Sequence, residues 1–321
     1  MTRIMSRRWL NFGIPMFAGG LLLLAFPLFS GSYYTHIFIL VFLYITLAMS
    51  YRLLYVTGLV SFCHVTFYAT GAYTSTLLAM KLGLPFGITF LAAGVVAAVL
   101  ATLLILPVAK ARGPYFFLIS FGFLMVMDSV FDQWRGMTGG PSGLNGIPPI
   151  MGFETVTPYY YMILAFTVLT IFIMHRLWRS RFGGELVAIG EAEELAEVTG
   201  INIFRHRVLA FAIGALFAGF AGSLFAHYSS FISPGSFSMW LTIYILIWCV
   251  VGGVRKLWGP IAGAVLMTLI AEFLRMSGTI QALLYATALL IVIMTTPSGI
   301  AGLVDTLRER FGRHRYPSRG I

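Results

Sequence analysis

Acidic charge is scarce in this sequence: eleven Asp and Glu stand against twenty-one Lys and Arg in 321 residues. Charged residues make up only 10% and hydrophobic residues 59%, with a mean hydropathy of +0.90. That excludes a soluble domain of this length and leaves an all-α polytopic membrane protein. The two cysteines, Cys63 and Cys249, both lie inside apolar runs, so neither a disulfide framework nor a cysteine metal site is available. No G-x-x-x-x-G-K-[ST] occurs, and any ATP used must be bound by another polypeptide. H-E-x-x-H, a nucleophile elbow and paired carboxylates at membrane depth are missing too, leaving enzyme chemistry without a candidate site. The net charge of +10 does not indicate nucleic acid, because the basic residues stand at the ends of apolar spans and not in one patch interleaved with aromatics.

What is present is a series of apolar runs near the 20 residues a bilayer requires. They fall at about 12–29, 36–54, 59–80, 86–107, 114–131, 158–177, 208–228, 239–251, 260–275 and 279–296, so about ten transmembrane helices are expected, eight to ten given the uncertain stretch 239–275. A signal peptide shares the layout of the first run, with Arg3, Arg7 and Arg8 before it. The run is long for an h-region and no A-x-A-like site follows in PLFSGSYY, so a first transmembrane helix is expected. With ten spans and a cytoplasmic N-terminus, every Lys and Arg except Lys81, Arg135 and Arg275 faces the cytoplasm. Both termini are then cytoplasmic, including the basic tail 304–321, and the Gly- and Pro-rich loop 132–157 is periplasmic.

The only long polar segment between spans is 176–207. It holds five of the eleven acids, Glu185, Glu191, Glu193, Glu194 and Glu197, bracketed by Arg176, Arg179 and Arg181 before and Arg205 and Arg207 after. Leu186, Ile189, Ala192 or Glu193, and Ala196 recur at three- and four-residue spacing, which predicts one short amphipathic helix ended by Gly200 in a left-handed C-cap. A solvated helical loop and a helix pressed into a cleft of a cytoplasmic partner both fit this pattern. In the outer loop, Gly139, Gly140, Gly143 and Gly146 permit turns that other residues resist; an ordinary flexible loop and a vestibule contacting a delivered ligand both remain open.

Polar residues within the spans are few, and each is a functional candidate. His64, Thr66, Thr70 and Tyr73 lie on one otherwise apolar helix as a candidate pathway strip, with a histidine simply hydrogen-bonded to a neighbouring helix as the alternative. Asp128 and Asp132, four apart at the outer end of the fifth span, read as interfacial and not proton-carrying. Glu272 and Arg275 are three apart and can pair. Gly214, Ala218 and Gly222 form the small-xxx-small face on which membrane helices approach closely.

Six stretches then occur in an order that resembles the branched-chain amino acid ABC transporter permease family, its LivM-like branch. They are GLVSFCHVTFYATGAYTSTLLA from Gly58, ARGPYFFLISFGFLMVM from Ala111, TGGPSGLNGIP from Thr138, GINIFRHRVLAFAIGALFAGFAGSLFAHYSSFISPGSF from Gly200, VVGGVRKLWGPIAGAVL from Val250 and TPSGIAGLVD from Thr296. The resemblance implies ABC importer permease architecture in a bacterial inner membrane. It implies a second permease subunit, usually forming a heterodimer, two cytoplasmic ATPases that use the ATP and Mg, and a periplasmic binding protein. No cofactor is expected on this chain, and membrane lipid surrounds it. Segment 176–207 then resembles the coupling loop. Glu194, Ala196 and Gly200 match the E-A-A-x-x-x-G core, with Glu191 beside it, while Leu195 stands at the middle alanine and Gly190 where an arginine is common. These departures bear on the strength or partner choice of coupling. Cys63 stands in place of a usual glycine and Ser298 in place of a common arginine. The substrates implied are branched-chain amino acids, with urea, short amides or aromatic acids as alternatives. A self-contained secondary transporter or channel is the other class; it lacks here the inverted repeat and the intramembrane ionisable residues it needs.

Overall fold

The computed structural model describes residues 23–29, 31–111 and 113–275, and beyond them only 280, 283, 286, 287, 289, 290, 294 and 299–302. The basic tail 304–321, Ser298 and most of the expected first and last spans lie outside the described residues. Ten helices organise the described chain: α1 (Ser32–Val56), α2 (His64–Leu82), α3 (Phe86–Val108), α4 (Pro114–Gln133), α5 (Val156–Trp178), α6 (Arg181–Glu191), α7 (Glu193–Val198), α8 (Ile203–Ser229), α9 (Met239–Gly252) and α10 (Gly259–Leu274). Helix is the dictated form here, because an apolar segment in lipid must satisfy every backbone group within itself.

Among the described residues six helices are long and apolar enough to cross a membrane: α1, α3, α4, α5, α8 and the stretch Pro234–Gly252 that contains α9. Apolar side chains face outward along α3 (Leu91, Val95, Val99, Leu103) and α5 (Val168, Leu169, Phe172), as a lipid-facing surface requires. The expected span 59–80 begins later than its apolar run, since residues 57–63 are not helical and α2 starts at His64. Its threonines and serines lower its hydropathy below that of the six, yet most of its residues are buried. It packs against α3, α4, α8 and α9, and protein in place of lipid surrounds its polar groups. The two uncertain segments resolve as α9 and α10, of 14 and 16 residues. At about 1.5 Å per residue α9 reaches membrane length only together with the 3-10 turn Pro234–Phe237 before it, while α10, roughly 24 Å long, is short of a 30 Å hydrocarbon core. They pack on one another across Gly252, Gly259 and Gly263, where a β-carbon on Gly263 would lie 1.9 Å from the Trp248 carbonyl oxygen.

Helix α8 is the centre of the packing and touches α1, α2 and α3. One close crossing joins Gly71 of α2 to Gly219 of α8: a β-carbon on Gly71 would sit 2.2 Å from the Gly219 carbonyl oxygen, and one on Gly219 would sit 2.6 Å from that of Ala93. Three backbones meet here because none of the three positions carries more than a methyl group.

Two loop regions close opposite ends of these long helices. At one end α6 and α7 lie against the turn after α1. At the other, residues 134–155 fold over the end of α8. This second loop is ordered: the single helical turn Arg135–Thr138 and the 3-10 turn Gly140–Ser142 lead into β1 (Leu144–Asn145), antiparallel to β2 (Phe231–Ile232) with Leu144 opposite Ile232. Gly139, Gly140, Gly143 and Gly146 all have positive φ. The chain is mostly helical, as expected, and this two-residue pairing among the described residues is too short to leave a period in the sequence.

Candidate functional site

The polar segment folds as two helices, not one. Ala192, at φ −153 and ψ 84, breaks the chain between α6 and α7. Ser180 caps α6 by accepting from the Gly183 amide at 3.4 Å, and Gly183, Leu186 and Ile189 form its buried face. Helix α7 closes as the sequence predicts: the Ile201 amide donates to the Ala196 carbonyl at 3.1 Å and the Gly200 amide to that of Glu197 at 3.0 Å, with Gly200 at φ +86. This is the paired bonding of a Schellman motif, which needs a left-handed residue after the cap.

The five acids divide into two groups by what they touch. Glu193 accepts from the Arg207 guanidinium at 2.9 Å, and Arg207, itself buried, also donates to the Ala109 carbonyl at 3.1 Å. Glu185 lies 2.7 Å from His206 Nε2, whose ring stacks on Phe182. These contacts tie α6 and α7 to the first turn of α8. Glu191, Glu194 and Glu197 are exposed. Leu195 and Val198 stand beside them at 66% and 85% exposure, while Ala196 faces inward at 3%. A rigid loop therefore presents acidic and large apolar groups outward together, a combination suited to a protein partner.

Behind α6 lies a junction that the sequence did not indicate. A β-carbon on Gly190 would be 1.9 Å from the Val56 carbonyl oxygen, so α6 rests directly on the turn after α1. Next to it, Arg52 is 2% exposed. It donates to the Val254 carbonyl at 2.8 Å and reaches the Arg255 carbonyl at 3.5 Å, and its guanidinium lies 3.7 Å above the Trp178 ring. A cavity of about 480 Å³ opens here, lined by residues including Tyr55, Gly58, Trp178, Gly190 and Arg255. The only hint in the sequence is a lone arginine deep in an apolar run.

His64, Thr66, Thr70 and Tyr73 are all buried but do not share one hydrogen-bond network. His64 Nε2 bonds Ser50 Oγ at 2.9 Å, Thr70 returns its hydroxyl to the Thr66 carbonyl at 2.8 Å, and the hydroxyls of Thr66 and Tyr73 have no partner among the described residues. Gly214 and Gly222 lie at close crossings: β-carbons there would meet Leu54 Cδ1 at 2.4 Å and the Tyr68 carbonyl oxygen at 2.0 Å. Ala218 is fully buried on the same helix. Glu272 and Arg275 pair at 3.4 Å, and Tyr33 donates to Glu272.

A second network went unread in the sequence. Ser223 Oγ donates to Ser75 Oγ at 2.7 Å, Ser75 Oγ contacts Thr89 Oγ1 at 3.1 Å and His227 Nε2 at 2.9 Å, and His227 Nδ1 donates to the Pro148 carbonyl at 2.8 Å. It joins α2, α3 and α8 to the loop of residues 134–155. Ser223 and His227 are four apart, which places them on one helix face; their partners come from elements far away in the chain.

The chain is similar to known transport proteins. A family model described as a branched-chain amino acid transport system permease component matches residues 33–296. The LivM permease proteins of the high-affinity branched-chain amino acid transport systems of Salmonella typhimurium and Escherichia coli are each 30% identical over 76% of this chain. The match spans 64% of those relatives' own length. The corresponding LivH protein of Escherichia coli is 26% identical over 81% of this chain and 91% of its own. No solved structure matches significantly. A multi-pass helical chain whose family model covers most of its length and runs through every element of the site belongs to the branched-chain amino acid transport permease family.

Proposed function

We propose that this chain is a membrane-spanning permease subunit of an ATP-binding cassette importer in a bacterial inner membrane. The observation that carries the reading is the α6–α7 loop. It is tied internally through Arg207 and His206, yet leaves Glu191, Glu194, Leu195 and Val198 exposed. Glu194, Ala196 and Gly200 form the coupling core, and ATP is hydrolysed by two separate cytoplasmic subunits that receive this loop. A second permease completes the pathway, and a periplasmic binding protein delivers the solute to residues 132–157. Ten spans with both termini cytoplasmic satisfy the distribution of Lys and Arg. The names of the LivM and LivH relatives support branched-chain amino acids as substrates.

The mechanism is alternating access. Closure of the ATPases moves α6 and α7. Because α6 rests on the turn after α1 and is tied to α8, the displacement reaches the helices bearing His64 to Tyr73 and Gly214 to Gly222, which rearrange around a path at the subunit interface. Affinity purification of the tagged protein from its native membrane, with mass spectrometry of the co-purifying chains, tests the assembly. Two ATPases and a second permease are expected. Glu194→Lys with Gly200→Pro should abolish both ATPase recovery and uptake. A chain recovered alone that still moves solute without ATP overturns the reading.

A further inference from the structure

The outward stripe of α5 changes chemistry at its C-terminal end. Ala165, Val168, Leu169 and Phe172 are exposed, on the side opposite the buried Ile163, Thr167, Thr170 and Met174. At about 3.6 residues per turn the same stripe runs on into Arg176 and Arg179, both exposed. A lipid-facing stripe that ends in two arginines sets their guanidinium groups at the level of the lipid headgroups. The Arg176 guanidinium lies 6.0 Å from the centre of the Phe172 ring, so the cation stands where the apolar surface stops.

Two more exposed arginines belong to this end of the molecule. Arg181 opens α6 and Arg205 lies in the first turn of α8; the Phe182 ring, stacked on His206 at 5.4 Å, holds those two turns together. Arg205 repeats the pattern of α5, with the exposed Phe204 beside it and the exposed Leu209 one turn on. Among the described residues none of the four arginines makes an ion pair, although five glutamates share their segment. Glu185, one turn on from Arg181, is taken by His206, and Glu193 by Arg207. Arg181 also stands at the positive end of the α6 dipole, where a cation is disfavoured and an anion attracted.

We propose that Arg176, Arg179, Arg181 and Arg205 form a binding surface for the phosphate headgroups of anionic phospholipids, and that this contact anchors the α6–α7 loop to the membrane. Guanidinium groups pair with phosphate through two parallel donors, and basic residues next to a membrane span are drawn to the negative surface of the cytoplasmic leaflet. Arg176 and Arg179 close α5 while Arg181 starts α6 across the Ser180 cap, so headgroups bound here fix the joint through which α6 pushes on the membrane helices. The surface rests on the importer reading, which puts 176–207 in the cytoplasm and gives the loop its role. It adds a lipid ligand and makes coupling depend on membrane charge.

The test uses the whole complex, with its ATPases, second permease and binding protein, in phosphatidylcholine alone and in an equal mixture with phosphatidylglycerol. Lipid retained by the purified complex is counted by native mass spectrometry, and ATP hydrolysis stimulated by the binding protein is measured in both membranes. The wild type is expected to retain phosphatidylglycerol in preference to phosphatidylcholine and to show stimulated hydrolysis about threefold or more higher in the mixture. With Arg176→Gln, Arg179→Gln, Arg181→Gln and Arg205→Gln combined, the lipid preference should vanish and the ratio between the two membranes should fall to near one. Lysine at the same four positions keeps the charge and should keep the preference, a check that stands if the glutamine protein does not fold. Retention of both lipids in equal amounts by the wild type, an undiminished preference in the glutamine variant or a lost preference in the lysine variant overturns the surface. Loss of the ATPases from the glutamine variant in both membranes overturns it as well, since the arginines then hold a protein partner. Equal stimulated hydrolysis of the wild type in both membranes overturns the anchoring role. Failure of the importer reading is separate: the wild type is then recovered without ATPases, while the lipid count is still obtained.

Discussion

The Arg52 guanidinium lies 3.7 Å above the ring of Trp178. Trp178 ends the helix that leads into the α6–α7 loop, while Arg52 also donates to the Val254 carbonyl in the turn between α9 and α10. One buried side chain thus links the loop assigned to ATPase coupling with a helix pair on the far side of α1. The planar guanidinium supplies both the stacked face and the donors, which an ammonium cannot do together. Arg52→Lys is therefore expected to lower stability by about 2 kcal/mol, the scale of a desolvated cation–π contact. It should also uncouple binding-protein-stimulated ATP hydrolysis from uptake while the ATPases still co-purify. Thermal unfolding in detergent and paired ATPase and uptake assays check both parts. Unchanged stimulation and uptake in Arg52→Lys would remove Arg52 from the coupling route.

Gly190 stands where the family resemblance leads one to expect arginine, a difference read in the sequence as a change at the partner contact. The structure gives it an internal reason, since any β-carbon would overlap the Val56 carbonyl oxygen at 1.9 Å. Gly190→Ala should cost roughly 1–3 kcal/mol, as overpacking of a close contact does. Gly190→Arg should cost more and displace α6 from the turn after α1. The check is the unfolding temperature of each variant beside recovery of the ATPases. A Gly190→Arg protein as stable as wild type would mean that α6 rests elsewhere.

The crossing of α2 and α8 makes a similar demand. Gly71→Ala places a methyl group 2.2 Å from the Gly219 carbonyl oxygen, and the neighbouring α3 backbone leaves Gly219 no room to retreat. A loss of about 1–3 kcal/mol is expected, read as a lower unfolding temperature and reduced monodisperse yield. Gly87→Ala, where nothing lies within 4 Å of the added atom, is the matched control and should be neutral.

Much of this architecture was legible in the sequence because lipid constrains it strongly. Apolar runs of membrane length located α1, α3, α4, α5 and α8, and the small residues at Gly214 and Gly222 fell at close crossings. Gly200 was identified as a left-handed cap because few other signals place a glycine three residues beyond Leu-Ala-Glu on a helical face. Periodicity failed at Ala192, where the break between α6 and α7 arises from dihedral angles that alanine does not announce. It failed at 57–63 because an apolar stretch can be irregular when protein, not lipid, covers it. The acids of 176–207 looked alike in sequence, and only tertiary contacts separated Glu185 and Glu193 from Glu191, Glu194 and Glu197. Arg52 and His227 went unread for the same reason: their partners lie between about 80 and 200 residues away in the chain, beyond the few residues over which a helical period carries information.

His227 supports the last prediction. It joins Ser75 of α2 to the Pro148 carbonyl in the loop 134–155, and Ser223 and Thr89 complete the network. His227→Ala removes both bonds: Ser75 keeps Ser223 and Thr89 as partners, while the Pro148 carbonyl loses its tie to the helix core, an effect of about 1 kcal/mol. Because Pro148 lies in the loop and Ser75 in the helix core, the variant should release the loop more than the helices. Limited proteolysis within 134–155 should accelerate several-fold, while cleavage in 176–207 and recovery of the ATPases stay as in wild type. His227→Gln, which retains a donor and an acceptor on one side chain, should restore part of the protection. Equal acceleration at both ends of the molecule would instead mark His227 as a determinant of global stability, with no special hold on the loop 134–155.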